Sequence, residues 1–349
     1  MATPRVMIAF EGVTIVFGNH PNRALPHFDA GRTRADVQAE TGQVLGVHDC
    51  SLDVAEGEIS VLMGLSGSGK STLLRAVNGL NPVTRGAVRV RSADGEMTDV
   101  VTCPPARLRA LRRETVSMVF QQFALLPWRS VSEPVALGLE LAGMARAARL
   151  AKAREVLATV GLEPWADKRV SELSGGMQQR VGLARAFVTD ADILLMDEPF
   201  SALDPLIRAR LQDELLELQA RLGRTIVFVS HDLEEAVKLG NTITILEGGR
   251  IVQTGTPEDI VLHPRTPYVA EFVARLNPLS VLRATDVMGP ATTPADPNRT
   301  VTPTTPLRDT LPLFAAADAP VWVVEDGTTR GLITPDAVFR VLSPTRDEG

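Results

Sequence analysis

A chain of 349 residues has the length for one large and one small domain. Its net charge of −6 at pH 7 gives no basic field, which argues against a nucleic-acid-binding protein. Its two cysteines, Cys50 and Cys103, form no C-x-x-C pair, so we expect neither a disulfide framework nor a zinc site, and a reducing cytosol fits. No apolar run approaches the ~18 residues that span a bilayer, and the run at 6–10 is too short for a signal peptide. Any role at a membrane would depend on docking to partners.

The beginning of the chain predicts two strands separated by an insertion. Residues 7–17 alternate enough to form a first strand, and residues 44–54 return to strand-like character. Between them, residues 19–43 are polar and predict a helical insertion, in which residues 35–40 are the most helix-prone part.

Residues 58–78 predict a phosphate-binding loop between a strand and a helix. A short apolar run at 59–63 leads into GLSGSGKST, which matches G-x-x-x-x-G-K-[ST] in its required context. The glycines let successive N–H groups point inward at an anion, and the following helix adds its positive N-terminal dipole. The alternative is a glycine-rich turn that binds nothing, but such a turn needs neither the lysine nor the hydroxyl. We therefore expect a nucleoside triphosphate to contact Gly64, Leu65, Ser66, Gly67, Ser68, Gly69, Lys70, Ser71 and Thr72, with Lys70 at the β- and γ-phosphates and Ser71 on Mg²⁺.

Apolar runs alternate with helical patterns through the rest of the large domain. Runs at 86–90, 115–120, 193–196 and 225–229 predict strands, whereas residues 106–113 and most of 123–185 predict helices. Runs that are apolar throughout are typical of a parallel sheet buried on both faces. The pattern predicts an α/β core.

Four polar residues at the ends of predicted strands carry candidate catalytic roles. Asp197 can hold Mg²⁺ through its water shell, and Glu198 can polarise an attacking water. Gln121 is able to reach both a metal and a water, and the imidazole of His231 could touch a γ-phosphate. The alternatives are an acidic turn after a core strand for the two carboxylates and a structural role for the histidine.

A second glycine-rich segment, LSGGMQQ, precedes a helix that is rich in arginine and alanine. Its Ser-Gly-Gly at a helix N-terminus is a second anion receptor, with Ser174 able to donate a hydrogen bond. One triphosphate needs one such cradle. We expect the second one to serve the nucleotide of another molecule.

These motifs in this order resemble the ATP-binding subunit of ABC transporters over roughly residues 6–275. The resemblance implies a P-loop ABC ATPase that uses ATP and Mg²⁺, with a helical signature subdomain, and that closes head to tail on a second copy of itself. Glu198 would activate water, while His231 and Gln121 would sense the γ-phosphate. Phe17 would stack on adenine with Val47 packed nearby, although both could be plain core residues. Each ATP would lie between the loop at 64–72 of one chain and residues Ser174, Gly175, Gly176 and Asp204 of the other.

The insertion, together with VLMGLSGSGKSTLLRAVNGL and MDEPFSALDPLIR, resembles the importers of quaternary amines. FALLPW and the short C-terminal part favour the choline branch over glycine betaine and proline betaine. The resemblance implies an ABC domain at 1–277 whose helical subdomain, 123–185, docks on an integral membrane permease at the cytoplasmic face. A periplasmic or extracellular substrate-binding protein would reach this peripheral subunit only through the permease. The alternatives are a soluble ABC-type ATPase of nucleic-acid repair or translation, and an exporter ATPase.

The C-terminal part predicts a linker at 278–306 and a small β-β-α unit at 307–349. Residues 290–306 carry five prolines among threonines and cannot bury much. The unit resembles half of a CBS pair, and its Gly331 and Thr334 match the ribose-binding pattern G-x-x-T-x-x-D. Ala337 stands where the acid belongs, however, and Asp336 comes one position early. We therefore expect a structural dimerisation element or a vestigial sensor here, and no adenosine site.

Overall fold

A computed structural model describes residues 5–120, 125–201, 203–291, 293, 295–316 and 319–342. The chain forms two compact units that divide between Thr254 and Gly255. The described strands are β1 (Val6–Phe17), β2 (Val44–Ala55), β3 (Ile59–Met63), β4 (Arg85–Arg91), β5 (Met97–Asp99), β6 (Val116–Val119), β7 (Ile193–Asp197), β8 (Thr225–Val229), β9 (Thr242–Glu247), β10 (Arg250–Gly255), β11 (Thr300–Val301), β12 (Val321–Glu325) and β13 (Thr328–Ile333). The described α-helices are α1 (Leu25–Asp29), α2 (Arg34–Thr41), α3 (Lys70–Ala76), α4 (Pro105–Glu114), α5 (Ser132–Leu141), α6 (Arg146–Thr159), α7 (Gly175–Phe187), α8 (Pro205–Leu222), α9 (Leu233–Leu239), α10 (Pro257–Leu262), α11 (Pro267–Val273), α12 (Ala284–Val287), α13 (Leu311–Ala316) and α14 (Pro335–Leu342).

The first unit is built on a central sheet in the order β10-β9-β3-β8-β7-β6. Strands β9, β3, β8, β7 and β6 pair in parallel. Every residue of β3, β7 and β8 is buried, as expected for strands covered on both faces. This sheet confirms the predicted α/β core, and it brings the carboxyl ends of β3, β7 and β8 to one edge.

A second sheet, in the order β2-β1-β4-β5, is antiparallel throughout. The insertion between β1 and β2 forms α1 and α2, so its helical character agrees with the sequence. Thr33 caps α2 by accepting a hydrogen bond from the backbone N–H of Asp36 at 3.2 Å, and Gly42 ends the helix in the left-handed conformation. The insertion packs on this sheet through a small apolar cluster, Val16, Ala24, Phe28, Val37 and Leu45.

Helices α5, α6 and α7 pack on one another and form the helical region that the sequence places at 123–185. Ser174 is the N-cap of α7 and accepts a hydrogen bond from the backbone N–H of Met177 at 3.4 Å. Among the described residues, no helix combines the length and apolar character that crossing a membrane requires.

The second unit differs from the sequence expectation in two respects. It begins at Gly255 instead of 278, and α10 and α11 pack on each other within it. Residues 278–306, expected to be a linker, contain α12 and β11, and β11 pairs in parallel with β12. A strand of two residues can pair through its backbone without burying much apolar surface. Pro278 and Pro297 occupy the first positions of short 3₁₀ helices, where proline is tolerated.

The predicted β-β-α unit is formed by β12, β13 and α14. Asp326 and Gly327 connect the two strands with positive φ angles of 49° and 74°, as a two-residue hairpin turn requires. Thr334 accepts a hydrogen bond from the backbone N–H of Ala337 at 3.2 Å, so its hydroxyl caps α14.

Candidate nucleotide-binding site

The phosphate loop leaves the core at the end of β3 and curls back to begin α3. Gly64 and Gly69 have φ angles of 139° and 102°, which L side chains rarely adopt. A Cβ atom on Gly64 would lie 2.2 Å from the carbonyl oxygen of Leu246, and one on Gly69 would lie 2.6 Å from that of Gly46. Glycine is therefore required at both positions by backbone angle and by space.

Lys70 and Ser68 give this loop the chemistry of an anion site. The Lys70 ammonium is buried and donates hydrogen bonds to the carbonyl oxygens of Gly64 at 2.8 Å and Leu65 at 3.0 Å. Burial lowers the pKa of Lys70, while the carboxylates of Glu198 and Asp197 act to raise it. The hydroxyl of Ser68 is buried without a hydrogen-bond partner among the described residues. A phosphate oxygen would satisfy both groups.

Asp197 lies at the end of β7 and joins the loop to the central sheet. It has no exposed surface, and its Oδ1 accepts a hydrogen bond of 2.6 Å from the Ser71 hydroxyl. Its Oδ2 accepts one of 2.7 Å from Arg75 Nη2, which forms an ion pair. Oxygen donors of these two kinds suit Mg²⁺, which keeps several waters and takes further ligands from a bound phosphate. In the part of the chain that is described, no group of three or more His, Cys, Asp or Glu could hold a metal ion by itself.

Glu198 follows Asp197 in an unusual backbone conformation. Its φ of 49° lies in the left-handed region, which costs energy for a non-glycine residue and is often found at functional sites. Its Oε2 lies 3.6 Å from Nδ1 of His231, a largely exposed residue that directly follows β8 and Ser230. Two of the four predicted catalytic residues at strand ends are thus adjacent in space.

Lys70, Ser71 and Glu198 border a cavity of about 290 Å³, whereas Asp197 and His231 are not among its lining residues. Phe17, 38% exposed, lies on its wall. Val47 does not line it: this side chain is fully buried, and its Cγ1 would lie 2.6 Å from a Cβ on Gly69. The contacts of Phe17 and Val47 with the nucleotide stay predictions. The lining residues are Phe17, Arg34, Val44, Leu45, Gly46, Ser66, Gly67, Gly69, Lys70, Ser71, Thr72 and Glu198.

Arg34, from the insertion, is a member of this set that the sequence reasoning missed. Its guanidinium donates to the carbonyl oxygens of Gly67 at 2.6 Å, Gly46 at 3.4 Å and Leu45. No motif surrounds Arg34, so only its position in three dimensions reveals the contact.

The remaining predicted residues do not line this cavity. Ser174 and Gly175 are exposed at the start of α7, and Gly176 follows them. Asp204 is exposed at the start of α8, where it accepts a hydrogen bond from the backbone N–H of Ile207 at 3.0 Å. Gln121 lies outside the described residues, so its role stays a prediction.

A family model described as "ABC transporter" matches residues 47–201, and one described as "AAA domain, putative AbiEii toxin, Type IV TA system" matches residues 169–237. The "Glycine betaine/proline betaine transport system ATP-binding protein ProV" of Salmonella typhimurium is 48% identical over 289 residues, covering 79% of this chain and 71% of that protein. The chain belongs to the ABC transporter ATP-binding family. It is an ABC-type ATPase, as the motifs predict.

Two further relatives and two solved structures of ABC cassettes extend the comparison. The "Glycine betaine transport ATP-binding protein OpuAA" of Bacillus subtilis is 46% identical over 288 residues, covering 82% of this chain and 68% of that protein. The "Trimethylamine N-oxide transport system ATP-binding protein TmoW" of Ruegeria pomeroyi is 46% identical over 278 residues, covering 80% of each. The dimeric MJ0796 cassette is 30% identical with a TM-score of 0.61, covering 72% of this chain and 99% of that one. A second MJ0796 structure, 29% identical with a TM-score of 0.61 and the same coverage, is bound to ADP and Pi. The P-loop ABC ATPase fold is thereby confirmed for this ATPase.

Proposed function

We propose that this ABC ATPase energises the import of a quaternary amine or a closely similar methylated amine. The observation that carries the proposal is the identity of 46–48% to ATP-binding proteins named for glycine betaine, proline betaine and trimethylamine N-oxide transport. More distant relatives named for other imports, such as the spermidine/putrescine protein PotA of Pseudomonas fluorescens, are 40% identical over 68% of this chain. The higher sequence identity and coverage of the first group favour methylated amines as the transported class.

ATP would be hydrolysed at a seam between two copies of the chain. The cavity beside the phosphate loop carries Lys70 and Glu198, whereas the second glycine-rich cradle at 174–176 is exposed elsewhere on the same chain. In a head-to-tail pair, Ser174 of one copy would close over the phosphates held by Lys70 of the other, with Asp204 at the seam. The dimeric state of the MJ0796 cassette supports this arrangement.

Within the closed site, each residue has a defined task. Lys70 and the N–H groups of the loop would bind the β- and γ-phosphates, and Ser71 and Asp197 are the residues that would hold Mg²⁺. The bound Mg²⁺ would supply charge neutralisation on the phosphates. Glu198 takes the proton of the attacking water, and His231 and Gln121 orient the γ-phosphate and that water. The contact between Glu198 and His231 supports this assignment.

A complementation experiment tests the shared seam. Lys70→Ala removes phosphate binding by the loop at 64–72 but leaves the cradle at 174–176 intact. Ser174→Arg blocks the cradle but leaves the loop intact, so each variant alone should lose ATPase activity. A mixture can form heterodimers with one intact site, and we expect it to recover a clear fraction of wild-type turnover. Absence of recovery, together with full activity of a strict monomer, would remove the proposed dimer.

A groove beside α4, β6 and α5 is the proposed docking face for the permease. It has a volume of about 580 Å³ and combines apolar side chains with arginines from α4 and α7. Leu141 at the end of α5 is 68% exposed on its wall, where it would meet an apolar helix of the permease. The ATPase would then be peripheral at the cytoplasmic face of the cell membrane. Leu141→Arg should reduce copurification with the permease and leave ATP binding intact.

Choline is the finer proposal for the transported amine. The ATPase does not contact the substrate in such systems, so the substrate-binding protein sets the choice. Uptake of labelled choline, glycine betaine and trimethylamine N-oxide, by cells that express this chain with its permease and binding protein, discriminates among them. Uptake of glycine betaine with no uptake of choline would exclude the choline branch and leave the class intact.

The half-CBS-like unit is proposed to be structural. Thr334, which matches the ribose-binding pattern, accepts a hydrogen bond from the backbone N–H of Ala337 and so caps α14. Ala337 itself supplies no carboxylate. Full-length chain with Lys70→Ala should therefore bind no AMP. Tight AMP binding by that variant would restore an adenosine site.

A further inference from the structure

Arg34 extends from the first turn of α2 to the phosphate loop. Its guanidinium donates to the carbonyl oxygen of Gly67 in the loop and to those of Leu45 and Gly46 in β2. The insertion itself is anchored through Phe28, buried in the small apolar cluster, and through Asp29, which accepts two hydrogen bonds from Arg85 at 2.7 and 2.8 Å. Arg34 is one of the residues that line the cavity.

Among the residues that the structure describes, no acid balances the charge of Arg34. Within the described ranges, its hydrogen bonds all go to main-chain carbonyls, and no carboxylate forms an ion pair with it. The side chain is half-buried, and burial lowers its pKa. A desolvated guanidinium gains most from an anion that it can bind through several N–H groups, and phosphate matches its fork of donors.

The location of Arg34 selects one part of the nucleotide. Gly46, whose carbonyl oxygen it contacts, lies against the ring of Phe17 and the side chain of Thr72, because a Cβ on Gly46 would come within 2.9 Å of both. Arg34 thus stands between the ring proposed to stack on the base and the loop proposed to bind the phosphates. The atoms of a nucleoside triphosphate that bridge these two regions are the ribose and the α-phosphate.

We propose that Arg34 of the insertion is a nucleotide-binding residue that contacts the α-phosphate of ATP. It supplies a second positive charge to the cavity, on the side opposite the γ-phosphate that Lys70 reaches. On binding, its guanidinium exchanges part of its contact with the carbonyl oxygens for a charge-assisted bond to phosphate. The inference rests on the proposed ATP site and adds to it a residue from outside the motifs.

Equilibrium binding of ATP and ADP to the full-length chain tests the inference. Arg34→Gln removes the charge but keeps N–H donors for the carbonyls, and Arg34→Lys keeps the charge. We expect Arg34→Gln to weaken ATP and ADP alike by about tenfold, with a shallower salt dependence, and Arg34→Lys to recover part of the loss. Arg23→Gln, an exposed position of the same insertion, is the matched control and should bind both nucleotides as wild type does.

Three results would overturn the inference. If Arg34→Gln binds both nucleotides as wild type does, Arg34 only clamps the loop to β2. If the loss is confined to ATP, the contact is with the γ-phosphate and the assignment to the α-phosphate fails. If Arg34→Lys recovers nothing while melting at the wild-type temperature, charge is not what Arg34 contributes. Failure of the proposed function itself is distinguishable, because wild-type chain would then bind no ATP and Lys70→Ala would change nothing.

Discussion

The hydroxyl of Ser71 and the carboxylate of Asp197 lie 2.6 Å apart, joined by a hydrogen bond in which Ser71 donates. This bond links the start of α3 to the end of β7, and the two bonded residues are 126 positions apart in the chain. Arg75, on the same helix, neutralises the other oxygen of the carboxylate. Both oxygens of the Asp197 carboxylate are thereby held in place, one of them beside Ser71, the residue proposed above to hold Mg²⁺.

Ser71→Ala should therefore weaken the apparent affinity of the ATPase for Mg²⁺ more than it weakens nucleotide binding. Losing one oxygen ligand should raise the Mg²⁺ concentration for half-maximal turnover by about tenfold, or ~1.4 kcal/mol. Ser71→Thr keeps the hydroxyl and should stay near wild type. Titration of Mg²⁺ at saturating ATP provides the measurement, and an unchanged half-saturation in the alanine variant would separate Ser71 from the metal.

Glu198→Gln should leave ATP binding intact and trap the dimer with ATP bound. The amide retains the size of the side chain but cannot take the proton of water, so single-turnover hydrolysis should fall by about 10²–10⁴-fold. Gel filtration with and without ATP reports the dimer, and Glu217→Gln, at an exposed position of α8, is the control. Loss of ATP binding would instead assign Glu198 a structural role. Its strained backbone makes this role the alternative to catalysis.

The sequence predicts the part of the site that is local in the chain. The phosphate loop and the carboxylates at the end of β7 are read directly, because a short motif between a strand and a helix fixes backbone and side chains together. Arg34 could not be read in this way, since its contacts with Gly46 and Gly67 join segments 12 and 33 residues away.

The same distinction holds for the fold. Buried parallel strands can be recognised in the sequence as apolar runs, and β3 and β8 have the bounds that the sequence predicts. By contrast, the one buried residue of β5 and of β10 is polar (Thr98 and Gln253), and β11 has two residues, so neither length nor apolar periodicity marks them. Their pairing is decided by the neighbouring strand, which a single-sequence reading does not see.

Asp29→Asn should lower stability near neutral pH and have a diminishing effect in acid. Hydrogen bonds from Arg85 and from His48 hold the pKa of Asp29 below its usual value. A lowered folded-state pKa contributes stability above the unfolded pKa of about 3.9, and this contribution disappears as the pH falls through the folded value. The urea midpoints of variant and wild type should therefore differ most at pH 7, remain apart at pH 3.5, and converge only at more acid pH, as the pH falls through the folded pKa of Asp29. Asp53→Asn, exposed on β2, should show no such convergence.

Phe28→Ala should loosen the insertion without unfolding the central sheet. Phe28 is 1% exposed and is the largest side chain of the small cluster, so its truncation should cost about 3 kcal/mol of local stability. Hydrogen exchange should accelerate in α1 and α2 while β3, β7 and β8 keep their protection. Because α2 carries Arg34, ATP affinity should fall too. Equal acceleration in α1, α2 and the central sheet would show that the insertion and the core unfold together.

Glu235→Gln should stabilise the protein at neutral pH and have little effect at pH 4. Burial raises the pKa of Glu235, against the opposing effect of hydrogen bonds from Ser230 and Gln212. The unfolded chain ionises first as the pH rises above about 4.3, so the buried carboxyl lowers stability at neutral pH, and an amide removes that penalty.

The local geometry allows this substitution. Gln212 Nε2 donates to Oε1 of Glu235 at 3.0 Å, and an amide oxygen accepts the same bond. Ser230 Oγ, now donating at 2.5 Å, can turn toward the carbonyl oxygen of Asp232 at 3.3 Å and accept from the new amide. Glu234→Gln, exposed on the same helix, is the control for the overall change in charge. A lower urea midpoint for Glu235→Gln at pH 7.5, with the control unchanged, would mean that the ionised carboxylate is needed, because the charge of Arg208, which pairs with Asp232 at 3.4 Å, favours it.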